Sequence, residues 1–137
     1  MNPTKEVKME AIIKDILDGR FFPINLYVNY IRCNCEPTPV WGSTKEELSK
    51  TKITCEKCKG PITISDPEPA PCATLIRLQK PDESNRGIIL NELKPEDIYR
   101  LHKASIQLLK SQPRMRWVVD ARIRKLNKDM QIERRSL

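Results

Sequence analysis

Residues 33–58 carry two short cysteine pairs, Cys33-Asn34-Cys35 and Cys55-Glu56-Lys57-Cys58, separated by 19 residues. Four thiols in this arrangement constrain the fold more than any other feature, because whatever joins them must bring two separate turns to one point. Zinc does this with four ligands at tetrahedral corners, about 2.3 Å from the ion, and two short knuckles meeting there lose little loop entropy. The second pair has the usual knuckle spacing and is followed by Gly60, where a tight turn is expected. The first pair, with a single intervening residue, gives a tighter chelate. The expected set is therefore a structural zinc site of Cys33, Cys35, Cys55 and Cys58, with Cys72 or His102 as the replacement for a member of the first pair. Four thiolates fill the coordination shell, so a catalytic zinc with an open position for water is disfavoured. Thiol redox chemistry at Cys55 and Cys58 is disfavoured as well, since such motifs open a helix after a strand and "KGPITIS" reads as another strand.

The alternative use of paired cysteines, disulfides, depends on compartment. The opening "MNPTKEVKMEAIIKDILDG" mixes acids and bases and has no apolar core or small-residue cleavage site, so it does not read as a secretory signal. No apolar run approaches the roughly 20 residues that span a bilayer. The expectation is a reducing, cytoplasmic or nuclear setting without membrane contact, where closely spaced cysteines hold metal. Reinforcement by metal also suits the composition. Of 137 residues only 39% are hydrophobic and 5% aromatic, which predicts a thin core.

The apolar periodicity predicts an α+β fold: an N-terminal helix on a small zinc-ribbon-like β-hairpin, a proline-rich connector, a second β-hairpin and two C-terminal helices. Met9, Ile12, Ile13, Ile16 and Leu17 recur at helical spacing over about 3–18, after an Asn2-Pro3 cap and before Gly19, leaving Lys8, Glu10, Lys14, Asp15 and Asp18 to solvent. In "INLYVNYIRC", Ile24, Leu26, Val28 and Tyr30 alternate with Asn25, Tyr27 and Asn29, as in one half-buried strand leading to Cys33. Ser43 and Glu46 stand in capping-box relation before a short helix at about 44–50. The connector "DPEPAP", residues 66–71, has proline at every second position and is expected to separate a metal-binding lobe, 1–65, from a basic lobe, 72–137. In the second lobe, "ATLIRLQ" and "IILNEL" flank a polar turn. A helix opening at Pro95 buries Ile98, Leu101, Ala104, Ser105 and Leu108, and a last helix over about 114–133 carries Met115, Val119, Ile123, Leu126 and Met130 inward.

Charge is concentrated at that end. Residues 114–137 hold eight Lys or Arg against three Asp or Glu, most of the formal net charge of +7. Trp117, Arg124, Lys128 and Arg135 are expected along one side of the helix, flanked by Arg114, Arg116, Arg122 and Lys125. Cations for phosphates beside an aromatic for an unpaired base make a combination suited to RNA or single-stranded DNA. The plainer expectation is a solvated helix face with Trp117 in the core. No Ser-His-carboxylate grouping and no Gly-rich phosphate loop is present, and His102 sits beside an apolar helix face, so no enzyme and no small-molecule substrate is expected. The function expected from these residues is a zinc-stabilised nucleic-acid-binding module. The alternative is a protein-interaction adapter, such as a viral accessory or regulatory protein, in which Ile106 and Leu109 off the main stripe meet a protein partner or a second copy.

Overall fold

A computed structural model describes residues 5–41, 44–51, 54–79, 86–129 and 132–137. Among them are four helices and two four-stranded sheets, in two compact units: Met1–Leu26 with Pro71–Leu137, and Tyr27–Ala70.

The division begins at one residue. Asn25 adopts a left-handed conformation, φ 57°, which asparagine tolerates better than most residues. It separates Ile24, the first residue of the expected strand, from the rest: Ile24 ends β1 (Phe21–Ile24), β2 (Tyr27–Arg32) follows, and the two strands join different sheets. The alternation within β2 is also broken, because Asn29 is buried with Val28 and its side-chain amide donates to the Ser65 carbonyl at 2.8 Å.

In the first unit, β1 pairs antiparallel with β6 (Ala73–Arg77), and β6 pairs antiparallel with β7 (Gly87–Asn91). Helix α1 (Lys5–Leu17) packs on β1 and on α3 (Pro95–Ser111). The expected boundary at 66–71 is thus corrected: residues 1–26 go with the C-terminal half, because β1 completes the open edge of β6 and buried Met9 and Ile16 secure α1 there. Helix α1 ends in a glycine cap. Gly19 has φ +76°, its N–H donates to the Ile16 carbonyl at 3.0 Å, and the Arg20 N–H reaches the Asp15 carbonyl at 2.9 Å. The expected start at Asn2-Pro3 and the turn at 80–85 lie outside the described residues.

Helix α3 has the expected bounds and the expected buried face, Ile98, Leu101, Ala104, Ser105 and Leu108. Its first turn is fastened by the Lys94 N–H donating to the Asp97 carboxylate at 3.0 Å. Helix α4 (Met115–Asp129) buries Val119 and Leu126 on a core that includes Ile76, Leu78 and Leu108, with Met115 and Ile123 packed at its margin. Met130 lies outside the described residues. The expected helix to 133 is corrected: residues Ile132–Ser136 form strand β8, parallel to β7 from Gly87↔Ile132 to Asn91↔Ser136. This strand satisfies the backbone edge that β7 would otherwise leave open, and the Asn91 side-chain amide adds a bond to the Arg135 carbonyl at 3.1 Å.

In the second unit, β2 is central. On one side it pairs with β3 (Thr38–Trp41), and on the other with β4 (Thr63–Ile64) and β5 (Glu68–Pro69). Between the last two, the Ser65 hydroxyl accepts the Tyr30 N–H at 2.8 Å and the Ser65 N–H donates to the Tyr30 carbonyl at 2.9 Å, which carries the pairing across a break in the strand. Part of the expected connector is therefore sheet, with Pro69 on an edge where its missing N–H does no harm. Helix α2 (Lys45–Thr51) starts one residue later than expected: the Thr44 hydroxyl accepts the Glu47 N–H at 3.2 Å, and Ser43 lies outside the described residues.

Candidate functional site

Cys33 and Cys35 sit in the turn that joins β2 to β3, and Cys55 and Cys58 in a second turn closed by an isolated bridge between Thr54 and Pro61. The strand pair β2–β4 runs beside both turns and brings them together. All four sulfurs lie within 4.8 Å of one another, and Cys35 Sγ is 3.9 Å from Cys55 Sγ. A tetrahedron with Zn–S bonds of 2.3 Å has edges of about 3.8 Å, whereas a disulfide needs about 2.05 Å. The spacing is that of four ligands around a shared ion, and the cluster can hold a metal. A cleft of about 220 Å³, lined by Cys33, Cys35 and Cys55 with Ile31, Lys57 and Ile62, opens onto the sulfurs and leaves an ion a path from solvent.

The second knuckle is shaped by backbone amides. The Cys55 N–H donates to the Gly60 carbonyl at 3.0 Å, the Lys59 N–H to the Cys55 carbonyl at 2.9 Å, and the Lys57 N–H to Cys55 Sγ at 3.4 Å. The left-handed position of this turn is Lys59, φ 60°, and not Gly60 as the sequence suggested. Gly60 stands against Cys58 Sγ, where an added Cβ would lie at an ordinary 3.6 Å.

These amides polarise the sulfurs unequally. N–H groups of Cys58 and then Lys57 lower Cys55 to about 6, and the Gly60 N–H leads in lowering Cys58. Cys35 is pushed up to about 12, first by its hydrogen bond with Cys33 and then by that with Cys58. Cys33 is raised too: the Cys35 amide, 3.3 Å from its sulfur, works the other way, but burial and the Cys55 thiol outweigh it. One knuckle is therefore inclined to thiolate and the other to thiol. A divalent cation at the centre reverses the second tendency, since a coordinating thiol is deprotonated outright.

Cys72 and His102 belong to the other unit, and the group that could hold a metal consists of Cys33, Cys35, Cys55 and Cys58. His102 is half-buried on α3.

The chain matches no protein-family model, no curated protein and no solved structure.

The basic helix is the second candidate site, and the structure divides its eight expected residues. Trp117 is 75% exposed, which overturns the expectation that it fills the core. Arg114, Arg116, Arg124, Lys125 and Lys128 are exposed as well. Trp117, Arg124 and Lys128 share one side of α4, opposite the buried Val119 and Leu126, with Arg114 and Lys125 beside them. Among the described residues none of these five cations is held in an ion pair. Three expected members are not on this face, Arg116 among them: it is exposed but turned about 100° from its neighbour Trp117. Arg122 is only 9% exposed, on the inner side of the helix. Arg135 lies on β8, where its guanidinium donates to the Glu133 carboxylate at 3.2 Å. The last two corrections have different causes: Arg135 lies beyond the end of α4 at Asp129, and Arg122 stands on the helix face next to buried Val119 and Leu126. No helix among the described residues is long and apolar enough to cross a membrane.

Proposed function

We propose that the protein is a non-enzymatic, zinc-stabilised module that binds single-stranded nucleic acid through the outer face of α4. The observation that carries this reading is the exposure of Trp117 amid Arg114, Arg124, Lys125 and Lys128. A large aromatic held in water costs burial that the core could have used, and stacking on an unpaired base recovers it, at about 1–3 kcal/mol per base. The cations supply phosphate contacts and release of counterions.

In the second unit, zinc is the metal whose chemistry suits four thiolates at this spacing, in a ribbon-like pairing of two cysteine turns. It acts as a structural staple. The setting is a reducing one, cytoplasmic or nuclear, where the thiols stay available to the ion.

The test is titration of the zinc-loaded protein against a fluorescent single-stranded oligonucleotide at several salt concentrations. Affinity is expected to fall with salt, log K against log salt sloping by about −0.7 for each phosphate contacted. Trp117→Ala is expected to weaken binding by at least about fivefold without lowering the melting temperature. No salt-sensitive binding at low ionic strength, or full binding by the variant, contradicts the proposal.

One observation favours a second reading, a protein-interaction adapter: Ile106 is 40% exposed, with Leu109 half-buried near it on α3. It predicts that Ile106→Asp changes the oligomeric state or abolishes capture of a protein partner, and an unchanged oligomer together with unchanged capture contradicts it.

A further inference from the structure

Helix α3 repeats the surface chemistry of α4. Tyr99 is 63% exposed, Lys103 stands one turn later, and Lys110 lies eleven residues from Tyr99. On α4 the same interval separates Trp117 from Lys128. Eleven residues are about three turns, so each aromatic and its distant lysine share a side of the helix, about 16 Å apart along the axis. Tyr99, Lys103 and Lys110 are on the side of α3 away from buried Ile98, Leu101, Ala104 and Leu108. Arg100 flanks this stripe half-buried, and Glu96, one turn before Tyr99, is the acid at its start.

The two helices belong to one unit and pack on each other. The turn between them is short, with the Met115 N–H donating to the Gln112 carbonyl at 2.9 Å and the Arg116 N–H to the Pro113 carbonyl at 3.3 Å. Lys110 precedes that turn and Arg114 follows within it, so cations recur along the chain from one aromatic to the next. A face built for protein would be depleted in lysine. This one presents lysine on two of its three turns, with the exposed Ile106, seven residues from Tyr99, between them.

We infer that the outer face of α3 is a second segment of the nucleic-acid track, with Tyr99 as a stacking platform and Lys103 and Lys110 as phosphate contacts, so that one unpaired strand lies over both helices. This rests on the proposed reading of α4 and extends it from one stacked base to two separated platforms, hence to a minimum strand length. A duplex, whose bases are stacked on each other, offers neither platform a partner.

The experiment measures binding of zinc-loaded full-length protein to thymidine oligonucleotides of about 6 and about 18 nucleotides, lengths below and above typical single-strand site sizes. Three variants are compared with the unaltered chain: Trp117→Ala, Tyr99→Ala and Tyr99→Phe. The expected result is that Trp117→Ala weakens both oligonucleotides, Tyr99→Ala weakens only the longer by at least about fivefold, and Tyr99→Phe binds it normally because the ring is kept. Melting temperatures should be unchanged, since both side chains are mostly in water. Full binding of the longer strand by Tyr99→Ala, with Trp117→Ala still weakened, overturns the inference and leaves the α4 reading intact. Full binding by both alanine variants removes the α4 reading and the inference with it. A change of oligomeric state in Tyr99→Ala with binding unaltered assigns the stripe to protein contact and also overturns the inference.

Discussion

Single residues decide more of this structure than their side chains announce. Asn25 and Lys59 both have φ near 60°, at the junction of the two units and in the second cysteine knuckle. For Lys59 the consequence is measurable. Lysine already bears the ordinary left-handed cost here, and a β-branched residue adds to it, so Lys59→Val is expected to lower the zinc-loaded protein's unfolding free energy by about 1 kcal/mol. Gly60→Ala, at an ordinary backbone angle with its nearest neighbour 3.5 Å away, should cost much less. Denaturant titration of both variants checks the order, and a larger loss for Gly60→Ala would mean the turn is mis-assigned. At this scale the sequence was legible where chemistry names the residue. The cysteine spacing pointed to the four residues whose sulfurs the structure brings within 4.8 Å of one another, a cluster that could hold a metal. The left-handed lysine was not legible: nothing in "CEKCKG" separates Lys59 from Gly60 as the turn residue, and glycine was the natural choice.

Among the elements, helices with a full apolar stripe and a clear start were readable. Pro95 and the acidic first turn placed α3 to the residue, and Val119 and Leu126 placed α4 on the core. Strands were harder. The run from Ile24 to Cys33 alternates well enough to look like one strand, and only the pairing of Phe21–Ile24 with β6 shows that it serves two sheets. Strand β8 has no apolar alternation to betray it. It forms because β7 needs a partner, a cause that lies elsewhere in the chain. The contact between this sheet and α4 yields a prediction. A Cβ at Gly87 would meet Thr74 Cγ2 at 3.2 Å and Leu126 Cδ1 at 3.3 Å, and Leu126 is fixed in the core. Gly87→Ala is expected to cost about 1–3 kcal/mol through overpacking, and Leu108→Ala, which opens a cavity in the same core, about 2–5 kcal/mol. Thermal and denaturant unfolding measure both. A neutral Gly87→Ala would show that α4 does not rest on β7 as described.

At the scale of the whole molecule, the cysteine-bearing unit is an insertion between β1 and β6, and the two units differ in what holds them. The first has a core of Ile76, Leu78, Leu108, Val119 and Leu126 under two long helices. The second has two- to six-residue strands around β2, with Val28 and Ala70 as its buried hydrophobic side chains among the described residues, and the four cysteines at its turns. So little apolar burial does not by itself offset the conformational entropy of ordering a unit of this size, and on the proposed reading an ion held by the four cysteines would make up the difference. The proline-rich segment drew attention as a boundary and is near one end of the insertion. The other end, at Asn25, was hidden inside an apparently continuous strand. Removal of the metal is therefore expected to unfold Tyr27–Ala70 and leave the helices of the first unit, and with them the α4 face, in place. Oligonucleotide binding should survive chelation, and its loss would mean that the face depends on the ion.

The central claim, that Cys33, Cys35, Cys55 and Cys58 together hold one zinc ion that organises the inserted unit, is tested most directly by metal analysis joined to amide hydrogen exchange on protein purified under reducing conditions without chelator. The account predicts one zinc per chain, and on chelation the loss of protection across β2–β5 while α3 and α4 keep theirs. Protein without bound metal, or protection in β2–β5 that is the same before and after chelation, would contradict it.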